Sequence, residues 1–292
     1  MKKAYLYIAL FFALAFSLGS CSGDYDSIIE SDDIITGVPS KVANITSEAL
    51  PGEIKLKWDI PADSNYYYLQ IKYYDFLTEK EITQVTSVYT DSLIIPNTRA
   101  KYGDYDFKFQ TFNGRHEGGE VISIKARSGI APITESFVST KIPLVGSQLS
   151  TNAQEPTEGA IANLLDGNSN TFFHTRWSSP QIDLPHFIDI KLTEPLTNFS
   201  FYYQNRNGSQ VGPENLAILI SNDGQNWTQI SNLTSGLPSG SKAEYSSEVI
   251  RNSTPFSYLR FSITKTFGDK KYFNMAELAL YRVVINTYDP EA

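Results

Sequence analysis

The chain has 292 residues, with 24 Lys and Arg against 32 Asp and Glu, 13% aromatics, 18 glycines and 14 prolines. That length suggests two domains, and a composition rich in aromatics and turn formers, with few long helical patterns, suggests an all-β architecture. A net charge of −8 excludes a chain that works by neutralising phosphates, so neither nucleic acid nor an anionic lipid surface is an expected partner.

Lys2 and Lys3, followed by apolar residues 4–16, form the charged and apolar regions of an export signal. The apolar run of about 16 residues is shorter than the roughly 20 that a membrane span needs. Leu18-Gly19-Ser20-Cys21 then resembles a bacterial lipobox, which implies removal of residues 1–20 and diacylation of Cys21. Cys21 is the only cysteine. The exported chain is therefore expected to lack disulfides and to carry its one thiol at the lipid-attachment position. At ~0.8 kcal/mol per buried CH₂, several acyl chains together give a lasting anchor. Without Lys2 and Lys3 the mature chain holds 22 basic and 32 acidic residues, a net charge of −10.

Residues 21–38 form an acidic tether, with Asp24, Asp26, Glu30, Asp32 and Asp33. As a coil it spans roughly 20–25 Å and would lift the folded part off the membrane. An acidic stretch just after a lipidated cysteine resembles the surface-export signal of lipoproteins in Gram-negative gut glycan degraders. That resemblance implies a lipid-anchored protein of the outer membrane facing the cell exterior.

From 39 to 127 the pattern is of short alternating strands between turns. EIKLKW (53–58) alternates, 66–74 and 105–110 give two more strands, and Asn113-Gly114 marks a turn before a strand at 121–124. An early-strand Trp58 followed by Pro61, then the Tyr- and Phe-rich YDFKFQTFNG, resembles a fibronectin type III sandwich, with Trp58 as core packing. Gly129 and Pro132 mark 128–140 as a linker. A second domain is expected over 141–284, with strands at 186–192, 199–203, 217–221, 257–264 and 276–281, and a tail at 285–292. In the strand at 187–192 the alternation buries one face and turns Asp189 and Lys191 to solvent. Ser221-Asn222-Asp223-Gly224 reads as a hairpin turn.

The most informative stretch is 161–190, IANLLDGNSNTFFHTRWSSPQIDLPHFIDI. Asp166, Asn168, Asn170 and Thr171 supply hard oxygens at short spacing, which suits Ca²⁺. His174, Arg176 and Trp177 follow at once and offer hydrogen bonds and a flat apolar face, which suit a sugar. Because Phe172 and Phe173 are adjacent, one of them must face the core.

LLDGNSNTFFHTRW, LPHFIDIKL, ISNDGQNWTQI, YLRFSIT and NMAELALY occur in the order seen in factor V/VIII type C (discoidin) domains, and the sequence is most similar to family 32 carbohydrate-binding modules. The resemblance implies an eight-stranded jelly-roll sandwich. It also implies a structural calcium held by the carboxylate of Asp166, the hydroxyl and carbonyl of Thr171, the carbonyls of Asn163, Asn168 and Ala276, and the carboxylate of Glu277. For the ligand it implies His174 and Trp177, with Arg176 or Arg206 donating to hydroxyls and Phe273 beside Tyr272 completing a rim.

No nucleophile elbow and no HExxH is present, and the chain has only three histidines. The expectation is a non-catalytic surface lipoprotein that binds glycan, galactose-type ligands among them, and assists glycan capture beside outer-membrane uptake proteins. The alternative is an adhesion or structural protein that binds a protein partner.

Overall fold

The computed structural model describes residues 36–292 except positions 64 and 210. The export signal, Cys21 and all but the last residues of the acidic tether lie outside the described residues. The described residues fold as two all-β units, residues 36–132 with 290–292, and residues 133–289.

In the first unit, strands β1 (Ala43–Leu50), β2 (Glu53–Asp59), β3 (Tyr68–Asp75), β4 (Lys80–Ser87), β5 (Ser92–Ile95), β6 (Asp104–Phe112) and β7 (Ile122–Arg127) form two sheets, ordered β1-β2-β5 and β4-β3-β6-β7. Successive side chains of a strand point to opposite faces. Ile54, Leu56 and Trp58 of β2 therefore meet Leu69, Ile71 and Tyr73 of β3 and Tyr105, Phe107 and Phe109 of β6 in one core. Trp58 packs edge-on against Phe109 at 5.7 Å, and its indole N–H donates to the Thr90 carbonyl at 2.8 Å. Tyr105 is buried, and its hydroxyl accepts from the Arg99 amide at 2.8 Å. The last residues of the chain close on this unit: the Glu291 carboxylate accepts from the amides of Ala100, Lys101 and Ala131.

The second unit contains β8 (Thr134–Lys141), β9 (Leu149–Thr151), β10 (Phe173–His174), β11 (His186–Leu196), β12 (Phe199–Gln204), β13 (Pro213–Ser221), β14 (Thr228–Leu233), β15 (Glu244–Ser246), β16 (Phe256–Thr266), β17 (Asn274–Met275) and β18 (Glu277–Tyr288). A five-stranded sheet β14-β13-β16-β11-β9 faces a four-stranded sheet β15-β12-β18-β8, and β10 pairs with β17 separately. The sandwich is thus five strands on four rather than eight. Its core holds Ile188 and Ile190, Phe199 and Phe201, Ile218, Leu259 and Phe261, and Leu280. Burial of each such side chain stabilises by about 1.5–3 kcal/mol.

The strand pattern departs from the sequence reading at both ends of this unit. The segment 128–140, expected as a linker, contains most of β8, and the expected tail at 285–292 contains the end of β18, which pairs with β8 from Tyr281–Lys141 to Tyr288–Thr134. All eight residues of β8 are exposed, so no apolar alternation marked it as a strand.

Asp189, expected to face solvent, instead receives two hydrogen bonds from the Arg260 guanidinium, at 2.6 and 2.8 Å. That guanidinium lies between the rings of Phe187 and Trp227, 3.6 and 4.0 Å from their centroids. Stacked and bidentate at once, Arg260 uses both its planar face and its donor fork. In the hairpin turn, Asp223 accepts from the amides of Gln225 and Asn226 and from Ser221 Oγ, and Gly224 takes the positive φ of 72° that such a turn needs.

Candidate functional site

The connection from β9 to β10 carries the site. A short 3-10 turn, Ile161–Leu165, buries Leu164 and leads into the oxygen-rich loop. There Asp166 Oδ1 accepts from the Asn168 amide at 2.9 Å and Oδ2 lies 2.6 Å from the Thr171 hydroxyl, which is also 2.8 Å from the Asn168 carbonyl. The Thr171 hydroxyl is the main cause holding the Asp166 carboxyl below its ordinary range. Asn163 Nδ2 donates to the Phe172 carbonyl at 2.9 Å, which fixes the exit of the loop.

Glu277 reaches this loop from the start of β18, where it pairs with Gln204 of β12. Its Oε1 is buried with no partner among the described residues. Burial and then the neighbouring Asp166 charge push its carboxyl upward. Two carboxylates that share a site disfavour each other's ionisation, and a buried acceptor without a donor is costly. A cation would relieve both conditions. A cavity of about 350 Å³ lies alongside, lined by Lys141, Leu165, Gly167 and Glu277 among others. Among the described residues no cluster of three or more His, Cys, Asp or Glu side chains could hold a metal, so any site here would draw its remaining oxygens from hydroxyl and carbonyl groups. Asp166, Asn168 and Thr171 are joined by hydrogen bonds, Glu277 adjoins Asp166, Ala276 is fully buried, and its amide donates to the Gln204 carbonyl.

Residues 172–177 resolve the choice between the two phenylalanines. Phe173 is fully buried and packs edge-on against Phe273 at 5.7 Å. Phe172 turns the other way, and the Arg206 guanidinium lies 3.4 Å from its ring centroid, a cation–π contact. His174 sits among three rings: Phe172 at 6.2 Å, Trp177 at 6.5 Å and Tyr272 at 5.3 Å between centroids. Its Nδ1 is 2.6 Å from the Thr175 carbonyl, so Nδ1 carries the proton and Nε2 is left as an acceptor. Burial pushes the imidazole downward and keeps it neutral, against the opposing effect of that carbonyl. Trp177 is 45% exposed.

Phe273, expected on the rim, is fully buried and belongs to the core. Its neighbour Tyr272, half-buried, is the residue that meets His174, because adjacent residues of an extended segment point opposite ways and Phe273 faces Phe173. Arg176 is partly buried, and its Nε has no partner among the described residues; no ring contact joins it to the His174 cluster.

The sequence reading missed the support supplied by residues 154–159. Glu155 is buried and accepts from the amides of Trp177 and Ser178 and from the hydroxyl of Thr157. Burial alone would raise its carboxyl, but these hydrogen bonds, Ser178 first, outweigh it and hold the group at about 2. Glu158 accepts from the Trp177 indole N–H at 2.8 Å. Gly159 has a φ of 64°, and a Cβ there would lie 2.6 Å from the His174 Cβ, so only glycine lets this loop pass the imidazole. That glycine, in the turn sequence EPTEG, was the one available signal.

Residues 148–278 match the family model for the F5/8 type C domain, and the body of the second unit is an F5/8 type C domain. Among curated proteins the chain is 31% identical over 113 residues to an A type blood N-acetyl-α-D-galactosamine deacetylase of Flavonifractor plautii, a match that covers 36% of this chain and 14% of the relative. The chain thus spans about a seventh of the length of that curated relative. Among solved structures it is similar to CpGH89CBM32-5 from Clostridium perfringens in complex with GalNAc-β-1,3-galactose, at 23% identity and a TM-score of 0.41, covering 48% of this chain and 99% of that one. It is also similar to a SusE-like protein, at 17% identity and a TM-score of 0.38, covering 82% of this chain and 96% of that one.

Proposed function

We propose that this protein binds glycan without transforming it, through the end of the F5/8 type C domain where His174 and Trp177 meet. The observation that carries this reading is the arrangement around His174: a neutral imidazole whose Nδ1 is committed to the Thr175 carbonyl, with the exposed Trp177 and the half-buried Tyr272 both close to its ring. Nε2 would accept from a sugar hydroxyl while an indole face stacks on the apolar face of the ring. Arg206, stacked on Phe172, would donate to a neighbouring hydroxyl. The nearest carboxylates are already engaged, Glu155 by backbone amides and Glu158 by the Trp177 indole, which favours binding over acid-base chemistry. The curated relative acts on N-acetyl-α-D-galactosamine, which supports a galactose-type ligand.

The residues also fit a structural calcium ion. Asp166 and Glu277 would supply carboxylates, and Thr171, Asn168, Asn163 and Ala276 hydroxyl or carbonyl oxygens. A bound cation would supply the positive charge that the buried Glu277 Oε1 and the adjacent Asp166 otherwise lack, and would stiffen the loop that precedes His174. The lipobox-like Cys21 and the acidic tether support an outer-membrane lipoprotein facing outward and serving glycan capture. The two-sheet order of the first unit and its Tyr105–Arg99 tie support a fibronectin type III-like spacer.

A glycan array probed with the wild-type protein, His174→Ala and Trp177→Ala tests the reading. Binding to galactose-type glycans that is lost in both variants supports it. A protein that binds no glycan but captures a protein partner would favour the adhesion alternative instead.

A further inference from the structure

The first unit carries an ordered surface of its own on the outer face of the sheet β4-β3-β6-β7. Inward-pointing residues of β3 and β6 make the core, so residues two apart on the other side form cross-strand rows. The register gives three mirrored rows: Tyr68 opposite Phe112, Gln70 opposite Gln110, and Lys72 opposite Lys108. Tyr68 and Phe112 are stacked, with centroids 4.9 Å apart and planes 6° from parallel, and both are half-buried. His116, exposed in the following turn, lies 3.4 Å from the Tyr68 hydroxyl through Nδ1. Gln110 Nε2 donates to the Gly119 carbonyl at 2.9 Å, which fixes its amide.

The lysine row is the informative one. Like charges directly opposite across a ladder destabilise a sheet. In a chain with eight more acidic than basic residues, neither Lys72 nor Lys108 has an ion-pair partner among the described residues. The acids next along this face are paired elsewhere in the register: Glu81 stands opposite Tyr74, and Asp106 faces Lys125 at 3.8 Å. Two lysines opposite each other in the register, neither in an ion pair among the described residues, complement an anion. The aromatic pair and the amides beside them complement the apolar faces and hydroxyls of sugar rings. From the aromatic row to the lysine row the distance is roughly 13 Å, at about 3.3 Å per residue.

We propose that this sheet face is a second binding surface, for a saccharide chain bearing acidic groups, with Tyr68 and Phe112 stacking a ring, Gln70 and Gln110 bonding hydroxyls, and Lys72 and Lys108 holding a carboxylate or sulfate. It lies in a different unit from His174 and does not depend on the reading of that site.

Affinity electrophoresis of the intact protein tests it, through gels containing polygalacturonate, chondroitin sulfate, a neutral galactan or polyglutamate, with His174→Ala present to silence the other site. The expected result is retardation by at least one of the acidic polysaccharides, weakened about tenfold or more in Lys72→Gln/Lys108→Gln and in Phe112→Ala, with the melting temperature of the double lysine variant equal to or above that of the wild type. A carboxylate ligand would show with polygalacturonate, a sulfate ligand with chondroitin sulfate. Retardation by neither, retardation that survives the lysine variant, or equal retardation by polyglutamate would overturn the proposal.

Discussion

The oxygen-rich turn at 166–171 and the aromatic cluster at 172–177 adjoin in sequence, yet the fold leaves opposite things unfinished in each. The turn satisfies its own backbone through Asp166 and Thr171 but brings up a second carboxylate, Glu277, whose buried Oε1 has no hydrogen-bond partner among the described residues. The cluster is the reverse. Nδ1 of His174 and both oxygens of Glu155 are engaged, while an indole surface stays open to solvent. An unmet charge points to an ion, and an open aromatic face beside a spare acceptor points to a hydrated organic ring.

The sharpest way to break this division is within the pair Phe172 and Phe173. Phe173→Ala opens a cavity in the fully buried core and should lower stability by about 3–5 kcal/mol. Phe172→Ala should cost far less and act on glycan affinity, since it removes the ring beneath Arg206. Chemical denaturation of the two variants checks this, and equal losses would erase the distinction between core and platform.

Calcium should act on stability and only indirectly on affinity. If the ion binds, a concentration of 100 Kd stabilises by about 2.7 kcal/mol, seen as a higher Tm against chelator. Glu277→Gln should abolish that gain. A Tm unmoved between chelator and excess calcium would count against the ion.

A smaller effect concerns Glu155. Its folded-state carboxyl is held at about 2 against an ordinary value of 4.5, so the native state binds fewer protons than the unfolded state between those values. Its stabilising effect is present above pH 4.5 and is lost as pH falls toward 2. The Tm gap between wild type and Glu155→Gln should therefore be largest at neutral pH and shrink over that window. A gap independent of pH would mean that Glu155 is held by packing alone.

Strands with one buried face were legible in the sequence: EIKLKW, YDFKFQ and FIDIKL alternate, and β2, β6 and β11 include them. Strand β8 was not, because a strand exposed on both faces carries no apolar period. Alternation also says which face a residue takes but not what covers that face. Asp189 was read as solvent-facing although Arg260, 71 positions away, lies over it. In the site, the Asp166 turn and the His174 cluster stood out by residue type. Glu155 did not, since most of its partners are backbone amides that leave no mark on sequence. Phe273 was placed on the rim beside Tyr272 because the short loop before β17 carries no apolar period that would show which of two adjacent aromatics is buried.

The most direct test of the central claim is an NMR titration of the protein with a galactose-terminated oligosaccharide, run in parallel on Trp177→Ala. Saturable binding near the millimolar range, about −4 kcal/mol, is predicted, with the Trp177 indole N–H signal shifting and with binding lost in a variant that keeps its wild-type Tm. Binding that persists unchanged in Trp177→Ala, or shifts confined to residues away from His174, Trp177 and Tyr272, would contradict the account.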